Sequence, residues 1–130
     1  MKTVTKSNAE TTLNIPAKYA NTPVFVVACQ NALKTRPLSE AAEWCWAASH
    51  EEREIAKYAN AGADVLVVAM ADGEAKGTFL VDKAWVRKGL KQNGQTKERD
   101  RLFFKFKSQL LGDYEVKASG KAPRRGISLL

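Results

Sequence analysis

Lysine and arginine residues recur at every fourth position in two stretches of the sequence. They are Lys83, Arg87 and Lys91 in the first stretch and Lys97, Arg101 and Lys105 in the second. A row of cations neutralises the phosphates of a polynucleotide and releases the counterions condensed on it. The spacing therefore predicts a surface that binds DNA or RNA, mainly through the backbone.

The charge of the whole chain supports this prediction. The 130 residues carry a net charge of +7. Residues 76–130 hold 14 Lys or Arg against 5 Asp or Glu, whereas residues 1–75 hold 7 against 9. Such an asymmetry favours a polyanionic partner. Basic residues near the C-terminus would add affinity as a flexible arm, or would only increase solubility; they are Lys117, Lys121, Arg124 and Arg125.

A solvated surface is the alternative interpretation of the same stretches. Amphipathic helices need polar backs, and Lys and Arg are good helix formers. Acidic residues also temper the charge, namely Asp82, Glu98 and Asp100. Both interpretations stay open, and the charge asymmetry favours binding.

The run Trp44-Cys45-Trp46 is a second candidate for a contact surface. Adjacent helical residues point in different directions, so we expect one tryptophan in the core and the other partly exposed. An exposed tryptophan stacks on a base or anchors a protein partner. Core packing of both tryptophans is nevertheless the favoured interpretation.

Metal chemistry has one candidate motif. Asp64 followed by Glu74-Ala75-Lys76 has the order of a carboxylate and a Glu-x-Lys that metal-dependent nucleases use. With a turn at Asp72-Gly73, however, the two carboxylates stand about 20 Å apart at roughly 3.3 Å per residue. They cannot share a metal ion across that distance, and we expect no metal site.

The sequence also has no clear motif for nucleophilic catalysis or for phosphate transfer. His50 and Cys45 are five residues apart, which separates their directions by about 140° on a helix. No Gly-x-x-x-x-Gly-Lys-Ser/Thr phosphate loop occurs. We therefore expect a protein without cofactor that is not an enzyme.

The elements that position these residues follow from hydrophobic patterning. Continuous apolar runs at 24–29, 64–70 and 76–81 predict strands, the last two joined by a hairpin at Asp72-Gly73. We expect helices at about 39–48 and 50–60, with Ser49 and Glu52 forming a capping box. Two basic helices, at about 82–92 and 96–111, would flank Asn93-Gly94, with Thr96 as a cap. A short strand is expected at 114–117.

The predicted fold is α/β (α+β). The element order is β-α-α-β-β-α-α-β, with a mixed sheet of three to five strands and helices packed on it. The first two long strands would run parallel through a right-handed crossover. In the basic helices we expect Trp85, Val86 and Leu90 on one apolar side and Leu102, Phe103, Phe106 and Leu110 on another, with Phe104 beside the second cationic row.

A helix-turn-helix that reads sequence was considered for this helical pair and is disfavoured. Asn93 and Gln95 flank Gly94, where an apolar residue would lock the two helices together, and Asp100 occupies a position that should be apolar. Contacts to phosphates and to nucleic-acid shape are expected instead of base readout.

The expected organisation is a polar N-terminal arm (1–22), a single α/β domain (23–118) and a flexible basic tail (119–130). The N-terminus lacks the apolar region of a secretory signal, and no apolar run approaches the roughly 18 residues of a membrane span. Cys29 and Cys45 are expected to be free thiols. We expect a cytoplasmic protein of a bacterium or a virus-infected cell, with no membrane partner.

Two functions remain in view. The first is a small, non-enzymatic nucleic-acid-binding protein, in which the six cations named above act with Arg124 and Arg125. The alternative is a protein-interaction module, such as an inhibitor or assembly factor of a phage or plasmid. That module would dock on an acidic protein or a ribonucleoprotein through Trp44 and Trp46. The sequence predicts no oligomeric state.

Overall fold

Strands, and not helices, dominate this chain. The computed structural model describes residues 2–91 and 97–130, and of Trp44 it describes only the backbone. Strands account for 49% of the structure and helical residues for 22%. The expected α/β class, with helices packed on a small mixed sheet, is therefore wrong. The main body is a nearly closed, barrel-like sheet of six strands.

The described residues form nine strands and two α-helices. The strands are Thr3–Ser7 (β1), Thr11–Pro16 (β2), Val24–Ala28 (β3), Trp44–Trp46 (β4), Leu66–Ala71 (β5), Glu74–Leu90 (β6), Arg99–Leu110 (β7), Lys117–Gly120 (β8) and Ile127–Leu129 (β9). The helices are Leu38–Glu43 (α1) and His50–Ala56 (α2). Neither helix has the length and apolar character needed to cross a membrane, and the described part of the chain contains no other that does.

The strands form two sheets. The barrel-like sheet has the order β4-β7-β6-β5-β3-β9, and a smaller sheet has the order β1-β2-β8. Strands β3 and β5 run parallel, which confirms the parallel pairing predicted for the first two long strands. All other pairs within the described residues are antiparallel.

Two local predictions are confirmed. Asp72 and Gly73 adopt φ values of 55° and 75° between β5 and β6, as a type I′ hairpin turn requires. Ser49 caps α2: its side chain accepts a hydrogen bond from the Glu52 amide, and the Glu52 side chain accepts one from the Ser49 amide. The turn and the helix cap depend only on neighbouring residues, and both are recognised correctly from the sequence.

The two basic helices expected at 82–92 and 96–111 are wrong. Residues 82–90 form the second half of β6, and residues 99–110 form β7. A spacing of four residues keeps side chains on one side of a helix, but it is also a multiple of the two-residue period of a strand. The cationic rows therefore fit both elements. The expected turn at Asn93-Gly94 and the Thr96 cap lie outside the described residues.

The remaining elements differ in extent. The helix expected at 39–48 ends at Glu43, and the next three residues form β4. The helix expected at 50–60 ends at Ala56 and continues as a 3-10 turn. At 114–117 a 3-10 turn ends at Tyr114, and β8 begins at Lys117.

The hydrophobic core lies on both faces of the central strands. Alternate residues of β3 and β5 enter the barrel, where Phe25 and Val67 pack with Phe104. The intervening residues, such as Val26 and Val68, contact the smaller sheet. The smaller sheet thus covers the outside of β3 and β5, and the outer face of β6 and β7 beyond it remains open to solvent at several positions.

The segments that flank the expected domain contribute strands. Leu13 and Ile15 of β2 are fully buried, and so is Ile127 of β9, which pairs with β3. These apolar side chains dock because each completes one of the two core clusters. As a division into domains, the boundaries at 22–23 and 118–119 stay a prediction.

Gly120 is expected to be intolerant of a side chain. Its φ is +93°, and a Cβ there would lie 2.5 Å from the Glu10 carbonyl oxygen, which accepts a hydrogen bond from the Lys121 amide. Gly120→Ala should lower the free energy of unfolding by about 2–3 kcal/mol in urea titrations. Gly112→Ala is the control, since Gly112 also has positive φ but open space around it. Equal losses in the two variants would contradict this account.

Candidate nucleic-acid interface

The outer face of β6 and β7 combines cations with aromatic rings. Three cross-strand pairs form it, namely Lys83 with Lys105, Trp85 with Phe103, and Arg87 with Arg101. Directly paired residues lie on the same face of a sheet, and alternate residues share that face. The intervening pairs, Ala84 with Phe104 and Val86 with Leu102, belong to the barrel core. We call the six residues of the first three pairs the cationic–aromatic face.

Stacked rings form the middle of this face. The Trp85 and Phe103 ring centroids are 5.8 Å apart with an interplanar angle of 13°. The Arg87 guanidinium lies over the same Phe103 ring, with Cζ 5.2 Å from the centroid. Phe103 is only 6% exposed, whereas Trp85 remains 39% exposed. Trp85 therefore offers the accessible aromatic surface.

Like charges face each other on either side of the rings. Lys83 opposes Lys105, and Arg87 opposes Arg101. Like charges placed directly opposite in a sheet destabilise it by a few tenths of a kcal/mol per pair. Glu43 attracts Lys105 electrostatically, but no described carboxylate forms a salt bridge with Lys83, Arg87 or Lys105. An external polyanion would relieve the repulsion between Lys83 and Lys105.

The other predicted cations lie at different places. Lys91 and Lys97 are exposed just beyond the ends of β6 and β7, and Arg101 is 3% exposed. Arg124 faces Glu10 at 3.8 Å, and Arg125 forms a salt bridge with Glu52. Five of the predicted cations thus lie on or beside β6 and β7, and the sixth, Arg101, is buried in β7. The two C-terminal arginines lie away from these strands, beside Glu10 and Glu52.

The sequence interpretation misplaced the aromatic residues. It assigned Trp85 and Phe103 to apolar helix faces and placed Phe104 beside the cations. In the strands, Phe104 is in the core and the other two lie between cations. The signal was the alternation Lys83-Trp85-Arg87, in which every second residue is cationic or aromatic.

The tryptophans proposed as partner anchors lie on edge strand β4. The Trp46 indole N–H donates a hydrogen bond to the Ala42 carbonyl at 3.0 Å, and its ring is half-buried against the barrel core. Gly126 lies beside this ring, where a Cβ would approach to 3.7 Å. Trp46 thus helps close the barrel near β9. The Trp44 side chain lies outside the described part of the chain.

A groove of about 980 Å³ adjoins the cationic–aromatic face on the side of α1. We call it the α1 groove; it is lined by Arg36, Glu40, Glu43, Trp46, Trp85 and Arg87, among others. Burial, and then the neighbouring Glu40 carboxylate, raises the pKa of Glu43 above its usual range. The groove therefore joins aromatic surface, cations and two carboxylates.

The residues tested for catalysis are not brought together. Glu74 lies opposite Ala71 beside the hairpin turn, and its hydrogen bond from Lys76 lowers the pKa of the carboxyl. His50 is exposed at the first turn of α2. Across residues 2–91 and 97–130, no three His, Cys, Asp or Glu side chains gather in a way that could hold a metal ion.

Burial of the Cys29 thiol should make the free energy of unfolding fall at alkaline pH. Burial raises the pKa of Cys29 to about 12. An unfolded thiol titrates near 8.5, so above that pH only the unfolded state loses its proton. The free energy of unfolding should then fall by up to about 1.4 kcal/mol per pH unit until the folded thiol titrates. Urea unfolding at pH 8, 9 and 10 should show a smaller decline for Cys29→Ala, and parallel declines would contradict the assignment.

Comparison of the chain with protein-family models, with curated proteins and with solved structures found no match to any of them.

Proposed function

We propose that this protein binds single-stranded nucleic acid on the cationic–aromatic face, without catalysing a reaction. The observation that supports this most strongly is the exposed Trp85 between two pairs of like-charged residues on adjacent strands. Non-specific single-strand binding combines a positive surface that follows the backbone with aromatic rings on which bases stack. The cationic–aromatic face provides both components within its three cross-strand pairs of β6 and β7.

An unpaired strand fits this arrangement better than a duplex. Stacking on a side chain requires a base whose flat surface is free, and bases within a duplex already stack on each other. Lys83 and Arg87 are four residues apart in β6, which corresponds to about 13 Å along the strand. Cations on both sides of Trp85 can therefore contact phosphates that flank a stacked base. The proposal includes a cytoplasmic location, where such strands are accessible.

Fluorescence anisotropy tests the proposal. Labelled twelve-residue single-stranded DNA and RNA, and a duplex of equal length, would be titrated with the protein at several salt concentrations. We expect micromolar or tighter binding of the single strands, a steep decrease in affinity with salt, and weaker binding of the duplex. Absence of single-strand binding at low salt would refute the proposal.

The same titrations with Trp85→Ala separate the contribution of base stacking from that of charge. Trp85→Ala should weaken single-strand binding about tenfold or more, because stacking of a base on an aromatic ring contributes about 1–3 kcal/mol. The slope of affinity against salt should not change, since no cation is removed. Tyr114→Ala is the control for the loss of an exposed aromatic ring, because Tyr114 is 42% exposed and lies beside Lys18 in the 3-10 turn after β7.

Docking on an acidic protein or a ribonucleoprotein is the alternative function. It would use the same cations, but the anchor expected at Trp46 is already engaged within the fold. Should the single strands fail to bind, an acidic protein surface would become the partner to test.

A further inference from the structure

The α1 groove extends the cationic–aromatic face toward α1. Trp85, Phe103 and Arg87 belong to both surfaces. A strand bound across β6 and β7 would therefore pass the mouth of the groove. At about 980 Å³, the groove has the volume of a small-molecule site.

Two carboxylates in the groove are free to accept hydrogen bonds. Glu40 and Glu43 form neither a hydrogen bond nor a salt bridge with any residue that the structure describes. Glu43 is half-buried, and its carboxylate has lost part of its hydration. A carboxylate in this position gains most from a ligand that donates hydrogen bonds to it, since charged hydrogen bonds are the stronger ones.

The cations limit the choice of such a ligand. Arg87 and Lys91 line the same groove. A ligand that suits the whole lining must carry negative charge for the cations, a flat apolar surface for Trp85 and hydrogen-bond donors for the carboxylates. A nucleotide within a polynucleotide meets all three requirements.

We propose that the α1 groove binds one unpaired guanine of the bound strand, with the Glu43 carboxylate as the residue that selects it. The inference rests on the proposed single-strand binding. The two carboxylate oxygens of Glu43 would accept hydrogen bonds from guanine N1–H and from its 2-amino group. The base would lie against the Trp85 and Phe103 side chains where they line the groove, and Arg87 would contact the adjoining phosphate.

Guanine differs from the other bases in its donors. Its Watson–Crick edge presents two adjacent N–H donors, whereas that of adenine or cytosine presents one amino group beside acceptors. A site built to hydrogen-bond a ligand rejects analogues that leave its buried polar group unpaired. An acceptor of the wrong base facing Glu43 would also meet a negative charge. We therefore expect at least a tenfold preference for guanine.

Anisotropy competition with twelve-residue oligo(dT), in which one central residue is changed, tests this inference. The central residue would be thymine, guanine, adenine, cytosine or hypoxanthine, which lacks the 2-amino group of guanine. We expect the guanine oligonucleotide to bind at least tenfold more tightly than the adenine one. The hypoxanthine oligonucleotide should be intermediate.

Glu43→Gln keeps the shape of the side chain and removes the second acceptor. It should abolish the guanine preference while leaving the affinity for oligo(dT) unchanged or slightly higher, which also reports that the variant is folded. Glu54→Gln is the matched control, because Glu54 is an exposed glutamate on α2 that pairs with Lys57. It should retain the preference.

The outcomes distinguish the two proposals. Binding of oligo(dT) without any guanine preference would overturn the guanine site and leave the proposed function standing. A guanine preference that persists in Glu43→Gln would overturn the role of Glu43. If no single strand binds, both proposals fail.

Discussion

Reversing the charge of Lys83 and Arg87 together is expected to weaken single-strand binding at least about 100-fold at low salt. Each phosphate contact to a single strand contributes about 0.7 to the slope of log affinity against log salt. Losing two contacts should therefore reduce the magnitude of the slope by about 1.4. The new carboxylates would in addition repel the phosphates. Anisotropy titrations of Lys83→Glu/Arg87→Glu across salt measure both effects.

Folding stability should change little in this variant. Lys83 and Arg87 are exposed and oppose Lys105 and Arg101. Each reversal replaces a like-charge pair by an opposite-charge pair, which stabilises a sheet by a few tenths of a kcal/mol. The same change removes the contact of the Arg87 guanidinium with the Phe103 ring, so urea titrations should show little net change in stability. If these cations instead stabilised the fold, the variant would lose stability.

Lys117→Glu/Lys121→Glu provides a control with the same change in net charge. Both lysines are exposed on or just after β8, which belongs to the smaller sheet and not to the sheet of β6 and β7. We expect only a small loss of affinity in this variant. Equal losses in the two double variants would show that overall charge, and not this face, determines binding.

Phe104→Ala is expected to lower the free energy of unfolding by about 3–5 kcal/mol. Phe104 is 1% exposed, and its ring lies 5.7 Å from that of Phe25 and 6.2 Å from that of Phe106. Removing it leaves a cavity between strands that cannot close without disturbing the ladder. Since a domain of this kind is stable by about 5–15 kcal/mol, the variant should unfold at markedly lower urea concentration.

Its neighbour in the sequence provides the contrast. Lys105 is exposed on the opposite side of β7, so Lys105→Ala should change stability by at most about 0.5 kcal/mol. Affinity for a single strand should fall in that variant. A loss below about 1 kcal/mol for Phe104→Ala would contradict the placement of this residue in the barrel core.

Features fixed by short-range chemistry could be predicted from the sequence. Asp72-Gly73 tolerates the positive φ values of a tight hairpin, and Ser49 with Glu52 satisfies the first turn of a helix. The apolar run at Val24–Ala28 formed a strand parallel to β5. The residues that decide the turn and the cap lie within a few positions of one another.

The basic region could not be assigned in the same way. Cations at Lys83, Arg87 and Lys91 are compatible with both a helix and a strand, because four is a multiple of two. What decides between them is pairing with residues that are distant in the sequence, such as Trp85 with Phe103. Long-range pairing overrides the helix propensity of Lys and Arg.

The α1 groove had no detectable signal in the sequence. Glu40 and Glu43 are separated by three residues on a short helix, a pattern typical of a solvated face. They meet Trp85 and Arg87 only because β4, which follows α1 directly, pairs with β7. A strand of three residues is too short to be predicted from alternation.

The location of the bound strand is the central claim, and NMR titration tests it most directly. The ¹⁵N-labelled protein would be titrated with unlabelled twelve-residue oligo(dT) at low salt. We predict that the largest shifts occur in the amides of residues 83–87 and 101–105 and in the Trp85 indole N–H. Shifts concentrated in the β1-β2-β8 sheet, or no shifts at saturating oligonucleotide, would contradict the account.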